Sequence, residues 1–99
     1  MKELENVELN TTLSYKDRVV KLFLDPAGAG DKTPNRNIVC EDLSGNIIWQ
    51  VDDISPQNNC AFVEIKSLDE VKFRAYNWCG YLCEINLSDG KVMSSLFTK

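Results

Sequence analysis

Ninety-nine residues, 43% hydrophobic and 26% charged, suffice for one domain spanning residues 1–99 with a single two-layer core, and argue against wholesale disorder or a second domain. The formal net charge of -4 is concentrated: from Asn37 to Val63 there is no Lys or Arg, yet Glu41, Asp42, Asp52 and Asp53 all fall there, while the other eleven acids balance the eleven bases. Such an excess repels phosphate, which disfavours direct binding to nucleic acid or an anionic membrane and makes a basic partner the natural expectation.

The chain opens Met1-Lys2-Glu3-Leu4-Glu5, without the apolar core of a signal peptide, and no membrane-spanning run follows, so the expected compartment is the cytoplasm and the four cysteines are expected as free thiols. The charged start permits a helix over residues 2–10, but Val7, Asn10 and Thr11 are poor helix formers. Val7, Leu9, Thr11 and Leu13 instead alternate with polar residues, the period of a half-buried strand, and Ser14 to Asp17 supply a turn. Arg18 to Leu24 reads as a strand buried on most of both faces. Residues 25–36, with Pro26, Gly28, Gly30 and Pro34, read as one long, mobile loop.

A hairpin is then expected over Asn37 to Asp42 and Asn46 to Val51, followed by a second loop from Asp52 to Asn59, broken by Pro56. Ala61, Val63 and Ile65 alternate with Glu64 and Lys66, and beyond the turn at Ser67 to Glu70, Val71, Phe73 and Ala75 alternate with Lys72 and Arg74. Asn77 to Gly80 turns the chain into a last hairpin, Tyr81 to Leu87 and Lys91 to Phe97, around Ser88-Asp89-Gly90. The sum is an all-β antiparallel meander of seven to eight short strands, closing its apolar faces as a small sandwich or a partly open barrel.

The segment Ile38-Val39-Cys40-Glu41-Asp42-Leu43-Ser44-Gly45-Asn46-Ile47-Ile48-Trp49 returns in looser form as Tyr81-Leu82-Cys83-Glu84-Ile85-Asn86-Leu87-Ser88-Asp89-Gly90-Lys91-Val92-Met93. With Asp42, Gly45 and Trp49 in one copy, and Asn86, Gly90 and Met93 in the other, these hairpins resemble the outer blade strands of quinoprotein-type β-propellers. The resemblance implies a blade-like local structure and no quinone cofactor, because any tight hairpin favours Asp or Asn followed by Gly at those turn positions.

No catalytic constellation emerges. The absence of histidine removes the usual general base and the commonest ligand of a catalytic metal. Glu41 with Asp42, or Asp52 with Asp53, has the composition of an acid–base pair, yet neighbours on a strand point to opposite faces. Cys79 and Cys83 with Cys40 and Cys60 lack the two close pairs of a structural zinc site, and Cys40 and Cys83 read as core thiols. Gly28-Ala29-Gly30 lacks the Gly-Lys-Ser/Thr ending of a phosphate-binding loop. Trp49 reads as core.

The expectation is therefore a non-enzymatic protein-binding domain without metal or cofactor. In size, acidity and lack of motifs it resembles the immunity proteins of bacterial toxin systems. That resemblance implies that Glu41, Asp42, Asp52 and Asp53 meet the cations of a nuclease-like toxin while Trp78 and Tyr81 supply apolar anchorage. The alternatives are a small-molecule or carbohydrate-binding module using the aromatics of the Asn77 to Tyr81 turn, and a structural subunit of a larger assembly.

Overall fold

The structure is a computed structural model and describes residues 4–28 and 32–98. Eight strands follow one another: β1 Glu8–Ser14, β2 Arg18–Leu24, β3 Ile38–Asp42, β4 Ile47–Gln50, β5 Phe62–Ser67, β6 Lys72–Asn77, β7 Tyr81–Asn86 and β8 Val92–Phe97. They form two four-stranded antiparallel sheets in sequential order, β1-β2-β3-β4 and β5-β6-β7-β8. The sheets stack as a sandwich, which decides between the two expected architectures. Strand pairing begins at Glu8, opposite Leu24, so the helix considered for residues 2–10 does not extend over residues 8–10. Among the described residues no helix is long and apolar enough to cross a membrane.

All four edge strands carry one extra residue against their neighbour: Asn10 in β1, Ile48 in β4, Val63 in β5 and Met93 in β8. A bulge raises local twist and turns an edge away from foreign strands. Each also switches the alternation of facing partway along its strand.

One apolar core joins the sheets. Val20, Leu22, Ile38, Cys40 and Trp49 of the first meet Phe62, Ile65, Phe73, Ala75, Cys83 and Ile85 of the second. Two polar clasps hold the layers in register. At one end Asn37, fully buried, donates through Nδ2 to the Phe23 and Phe62 carbonyls at 2.8 and 2.7 Å and accepts from the Phe62 amide at 3.0 Å. At the other, Trp49 Nε1 and Arg18 Nη1 both donate to the Leu87 carbonyl, at 2.8 and 3.0 Å. Trp49 also lies nearly parallel to Phe73, with ring centroids 6.0 Å apart. Satisfying these polar atoms is what lets them be buried without penalty.

The cysteine expectation is corrected in part. Cys40 and Cys83 are buried free thiols, and burial pushes both thiol pKa values up, which keeps them unreactive. Cys60 and Cys79, however, form a disulfide across a Cα–Cα distance of 5.2 Å. The amide of Trp78 donates to the Ala61 carbonyl at 2.8 Å, so the ladder between β5 and the β6–β7 turn already sets the two cysteines side by side. Nineteen residues of sequence separation hid that proximity.

The long loop expected to be mobile contains residues 29–31, which lie outside the described residues. Its described flanks are tied down. Asp25 N donates to Thr33 Oγ1 at 2.9 Å, and Asn35 reaches from the loop to the Asp53 carboxylate and the Ser55 and Asn58 carbonyls.

Candidate functional site

In a meander every second connection falls at the same end of the sheet. The turns β1–β2, β3–β4, β5–β6 and β7–β8 therefore gather at one end of the sandwich, and between them lies a cleft of about 1190 Å³. Tyr15, Lys16, Asp17 and Arg18 come from the first turn, Leu43 from the second, Glu70 and Val71 from the third, and Asn86, Leu87 and Ser88 from the fourth. The floor is the Leu87 carbonyl held by Trp49 and Arg18. Leu43 and Val71 stand at the rim, 68% and 60% exposed.

The turns share one chemistry. Asp42 accepts from the Ser44 and Asn46 amides, both at 2.9 Å, Asp69 from the Val71 and Lys72 amides at 2.8 and 2.9 Å, and Asp89 from the Lys91 amide at 3.0 Å. Each carboxylate thus replaces a backbone acceptor and shapes a tight turn. A consequence for the surface follows from this local need. The turn end carries Asp17, Asp42, Asp69, Glu70 and Asp89 against Lys16, Arg18 and Lys91, since Lys72, which opens β6, is taken up by Glu84 at 2.7 Å.

Three of these carboxyls have lowered pKa values. Amide donation, first from Asn46, lowers the pKa of Asp42; donation from Val71 and Lys72 lowers that of Asp69; and the Arg18 guanidinium lowers that of Asp17. A depressed folded-state pKa means the associated stability is complete above the ordinary carboxylate value and is lost as pH falls through the folded value. The denaturation midpoint is therefore expected to hold steady near neutrality and fall below about pH 4. Asn closes such turns without the charge, so the double variant Asp42→Asn/Asp69→Asn should flatten that acid limb and lower the neutral midpoint toward the value that the parent chain shows once these carboxyls are protonated. Identical acid limbs in the variant and the parent chain would show that these turns do not drive it.

The anticipated site residues divide between the two ends. Asp42 belongs to the cleft end. Glu41 lies on the outward face of the first sheet, where Lys21 from β2 bonds it at 2.9 Å and removes it from an uncompensated patch. Asp52 and Asp53 follow β4 at the opposite end, about 20 Å from Asp42 by the rise of a strand. There Asp53 accepts from Asn35 Nδ2 and the Ser55 amide, both at 3.0 Å, while Asp52 is exposed. Trp78 and Tyr81 are at this second end too, beside the disulfide. Trp78 is 52% exposed, but Tyr81 packs on Phe97 with centroids 5.2 Å apart, so the aromatic turn does not present a pair of open rings. A smaller polar recess of about 280 Å³ sits nearby, between Lys32 to Asn35 and Asp53 to Asn59.

Sequence reasoning missed Lys16, Arg18, Leu43, Glu70 and Val71. The available signal was an Asp in each hairpin connection or at its edge, at Asp17, Asp42, Asp69 and Asp89, but it gains meaning only once the meander order puts all four turns at one end. Among the described residues no group of three or more Cys, Asp or Glu converges as a metal-ligand set.

Fold and site together define a two-sheet antiparallel sandwich with a cleft lined by its hairpin turns and the strand ends beside them. The chain belongs to the family described as a domain of unknown function, DUF7957, which matches it over residues 4–97. Neither a curated protein nor a solved structure matches it.

Proposed function

We propose that this is a non-enzymatic binding domain that takes a cationic protein segment at the turn-end cleft. The observation that carries the reading is the cleft and its surround: exposed Leu43 and Val71 at the mouth, a lining in which Asp17 and Glu70 balance Lys16 and Arg18, and an acidic excess on the adjoining turns from Asp42, Asp69 and Asp89 against Lys91. An apolar anchor from the partner fills the space between the leucine and the valine, while Lys or Arg on either side meets the carboxylates. The charges mainly speed encounter, and the buried anchor sets residence time. Exposed carboxyls with lowered pKa values support binding over acid–base chemistry, which needs one carboxyl held protonated.

A toxin with a basic active-site cleft is a partner of this chemistry, and an immunity-type inhibitor is the role we assign. The cytoplasmic placement expected from the first residues belongs to this proposal, and the Cys60–Cys79 bridge weighs against it, because disulfides persist in oxidising compartments.

The test uses short peptides with a central leucine or phenylalanine flanked by lysines, and glutamate-flanked counterparts, titrated into labelled protein. The lysine series is expected to shift the amide resonances of Tyr15 to Arg18, Leu43, Glu70, Val71 and Asn86 to Ser88, with affinity falling several-fold between about 50 and 200 mM salt as screening sets in. Leu43→Ser should weaken binding about fivefold by removing half of the apolar mouth. Equal response to both series, or shifts confined to other surfaces, would reject the cleft.

A further inference from the structure

The four turns around the cleft stand as two stacked pairs. β5 lies beneath β1 and β2, and Tyr15 Oη donates to Ser67 Oγ at 3.1 Å, which sets the β1–β2 turn over the β5–β6 turn. Gly90 backs onto the Trp49 ring, and Trp49 Nε1 bonds the Leu87 carbonyl, which sets the β3–β4 turn over the β7–β8 turn. At the cleft mouth the turns are thus the corners of a square, with the β3–β4 and β5–β6 turns on one diagonal. Those two corners supply both rim residues, Leu43 and Val71.

Charge follows the same diagonal. Asp42 stands beside Leu43, and Asp69 and Glu70 precede Val71, with Lys72 already held by Glu84. Glu70 is exposed and makes no hydrogen bond or ion pair among the described residues. The other diagonal has no acidic surplus. At the β1–β2 corner Asp17 accepts from Arg18 Nε and Nη2, at 3.1 and 3.3 Å, which leaves Lys16 as the unmatched charge; at the β7–β8 corner Lys91 offsets Asp89. A segment carrying cations is therefore drawn along one line, from Asp42 across the two apolar rim residues to Glu70.

We propose that the cleft takes its partner as an extended segment of the form base-x-apolar-x-base laid along this diagonal; the inference rests on the cationic-segment reading above and adds the partner's conformation and spacing. Turn centres lie two strand spacings apart within a sheet, about 10 Å, and the sheets are about 10 Å apart, so the acidic corners are separated by about 14 Å. An extended chain rises about 3.3 Å per residue and points every second side chain the same way, so its residues i, i+2 and i+4 face the cleft together and span about 13 Å. The apolar residue at i+2 drops between Leu43 and Val71, while the bases at i and i+4 meet Asp42 at one end and Asp69 with Glu70 at the other. A helical segment covers only about 6 Å between i and i+4, which brings both bases to the middle. Bases directly next to the anchor in an extended chain point to the opposite face, away from the carboxylates. Lys16, at a corner off this line, repels a third cation and so keeps the segment on the acidic diagonal.

Two capped peptides of one composition test the spacing, with Lys-Ser-Leu-Ser-Lys and Ser-Lys-Leu-Lys-Ser cores. Each is titrated into the intact, oxidised chain at about 50 mM salt and followed by the amide resonances of Leu43, Glu70 and Val71. The spaced peptide is expected to bind about fivefold more tightly than the compact one, from two exposed ion pairs that the compact one cannot make. Asp42→Asn and Glu70→Gln should each cut that preference about two- to threefold by removing one end of the line. Glu70 makes no turn bond, so its variant reads the effect even where Asp42→Asn loosens the hairpin. Equal affinity of the two peptides at the cleft, or a preference that neither substitution lowers, overturns this inference and leaves the cleft reading standing. Binding by neither peptide overturns both.

Discussion

Gly90→Ala is expected to cost about 3 kcal/mol or more of folding stability, while Gly45→Ala, at the matching place in the other echo hairpin, costs about 1 kcal/mol. Both glycines sit in the left-handed region, at φ 75° and 89°, so both substitutions carry the strain of an L-residue there. Only Gly90 lies against something. A Cβ at that position would overlap the indole of Trp49, whereas one at Gly45 meets nothing within 4 Å. The indole cannot easily give way, since it is fixed by the Leu87 carbonyl at its Nε1 and by Phe73 across its face.

Trp49→Ala should cost a comparable ~3–5 kcal/mol by leaving a hole between the sheets. The two sites touch, so their effects are not additive: in a Trp49→Ala background Gly90→Ala should cost only its backbone strain. Urea denaturation of the four-member cycle reads this as a coupling of about 1–3 kcal/mol. Equal costs for the two glycines, or strict additivity, would mean that the Trp49–Gly90 contact does not fasten the sheets. Against a total stability of ~5–15 kcal/mol for a domain of this kind, these are large effects.

That asymmetry also shows what sequence can and cannot carry. Period-two alternation and Asp/Asn–Gly turns identify nearly every strand, because both signals are local and a half-buried sheet enforces them. The echo, in contrast, misleads by one residue. Setting Cys40 beside Cys83 aligns two core thiols, yet measured from the hydrogen bonds that close the turns, Asp42 to Asn46 and Asn86 to Lys91, the ladder counterpart of Cys40 is Glu84. The second turn is one residue longer, and a one-residue shift exchanges the faces of a strand. Cys40 faces the core while Glu84 bonds Lys72 on the outside; Ile85 is buried while its counterpart Glu41 bonds Lys21. The two similar meanders therefore stack front to back.

The stacking has reason to stop at two. The ladder counterpart of Trp49 in the second meander is Ser94, which has no ring to lay on a neighbouring turn, and the two outward faces hold the Lys21–Glu41 and Lys72–Glu84 pairs. The grouping of four acids expected from a cation-free stretch failed for a related reason. A stretch of sequence runs the length of a strand, so its two ends finish at opposite ends of the sheet, and the turn-end acids that do gather come from four separate stretches.

Opening the Cys60–Cys79 bridge is expected to lower stability by about 3 kcal/mol, the entropy regained by an unfolded chain released from a loop of this size. For a domain of about 100 residues that corresponds to a melting temperature lower by roughly 10–20 °C. The loss should be local first. The bridge ties the end of the 51–61 crossover to the β6–β7 turn, where it adds to the Asn35 bonds, the Asn37 clasp and the Trp78–Ala61 ladder bond, whereas the opposite end is closed by Trp49 and Arg18 without it. Amide exchange in the reduced chain should therefore quicken between residues 51 and 61 and between 77 and 80 well before it quickens at the cleft.

Thiol chemistry provides an independent count. Cys40 and Cys83 are buried with raised pKa values and should remain silent to an aqueous thiol reagent until the whole domain unfolds. The oxidised native chain should thus show no fast thiols and the reduced native chain two, Cys79 directly and Cys60, only 3% exposed in the bridged structure, through the local opening of this end. A double variant, Cys60→Ala/Cys79→Ala, should match the reduced chain in melting temperature and show none. Four fast thiols after reduction would mean that the core opens with the bridge, and that the disulfide holds the sandwich itself together rather than one end of it.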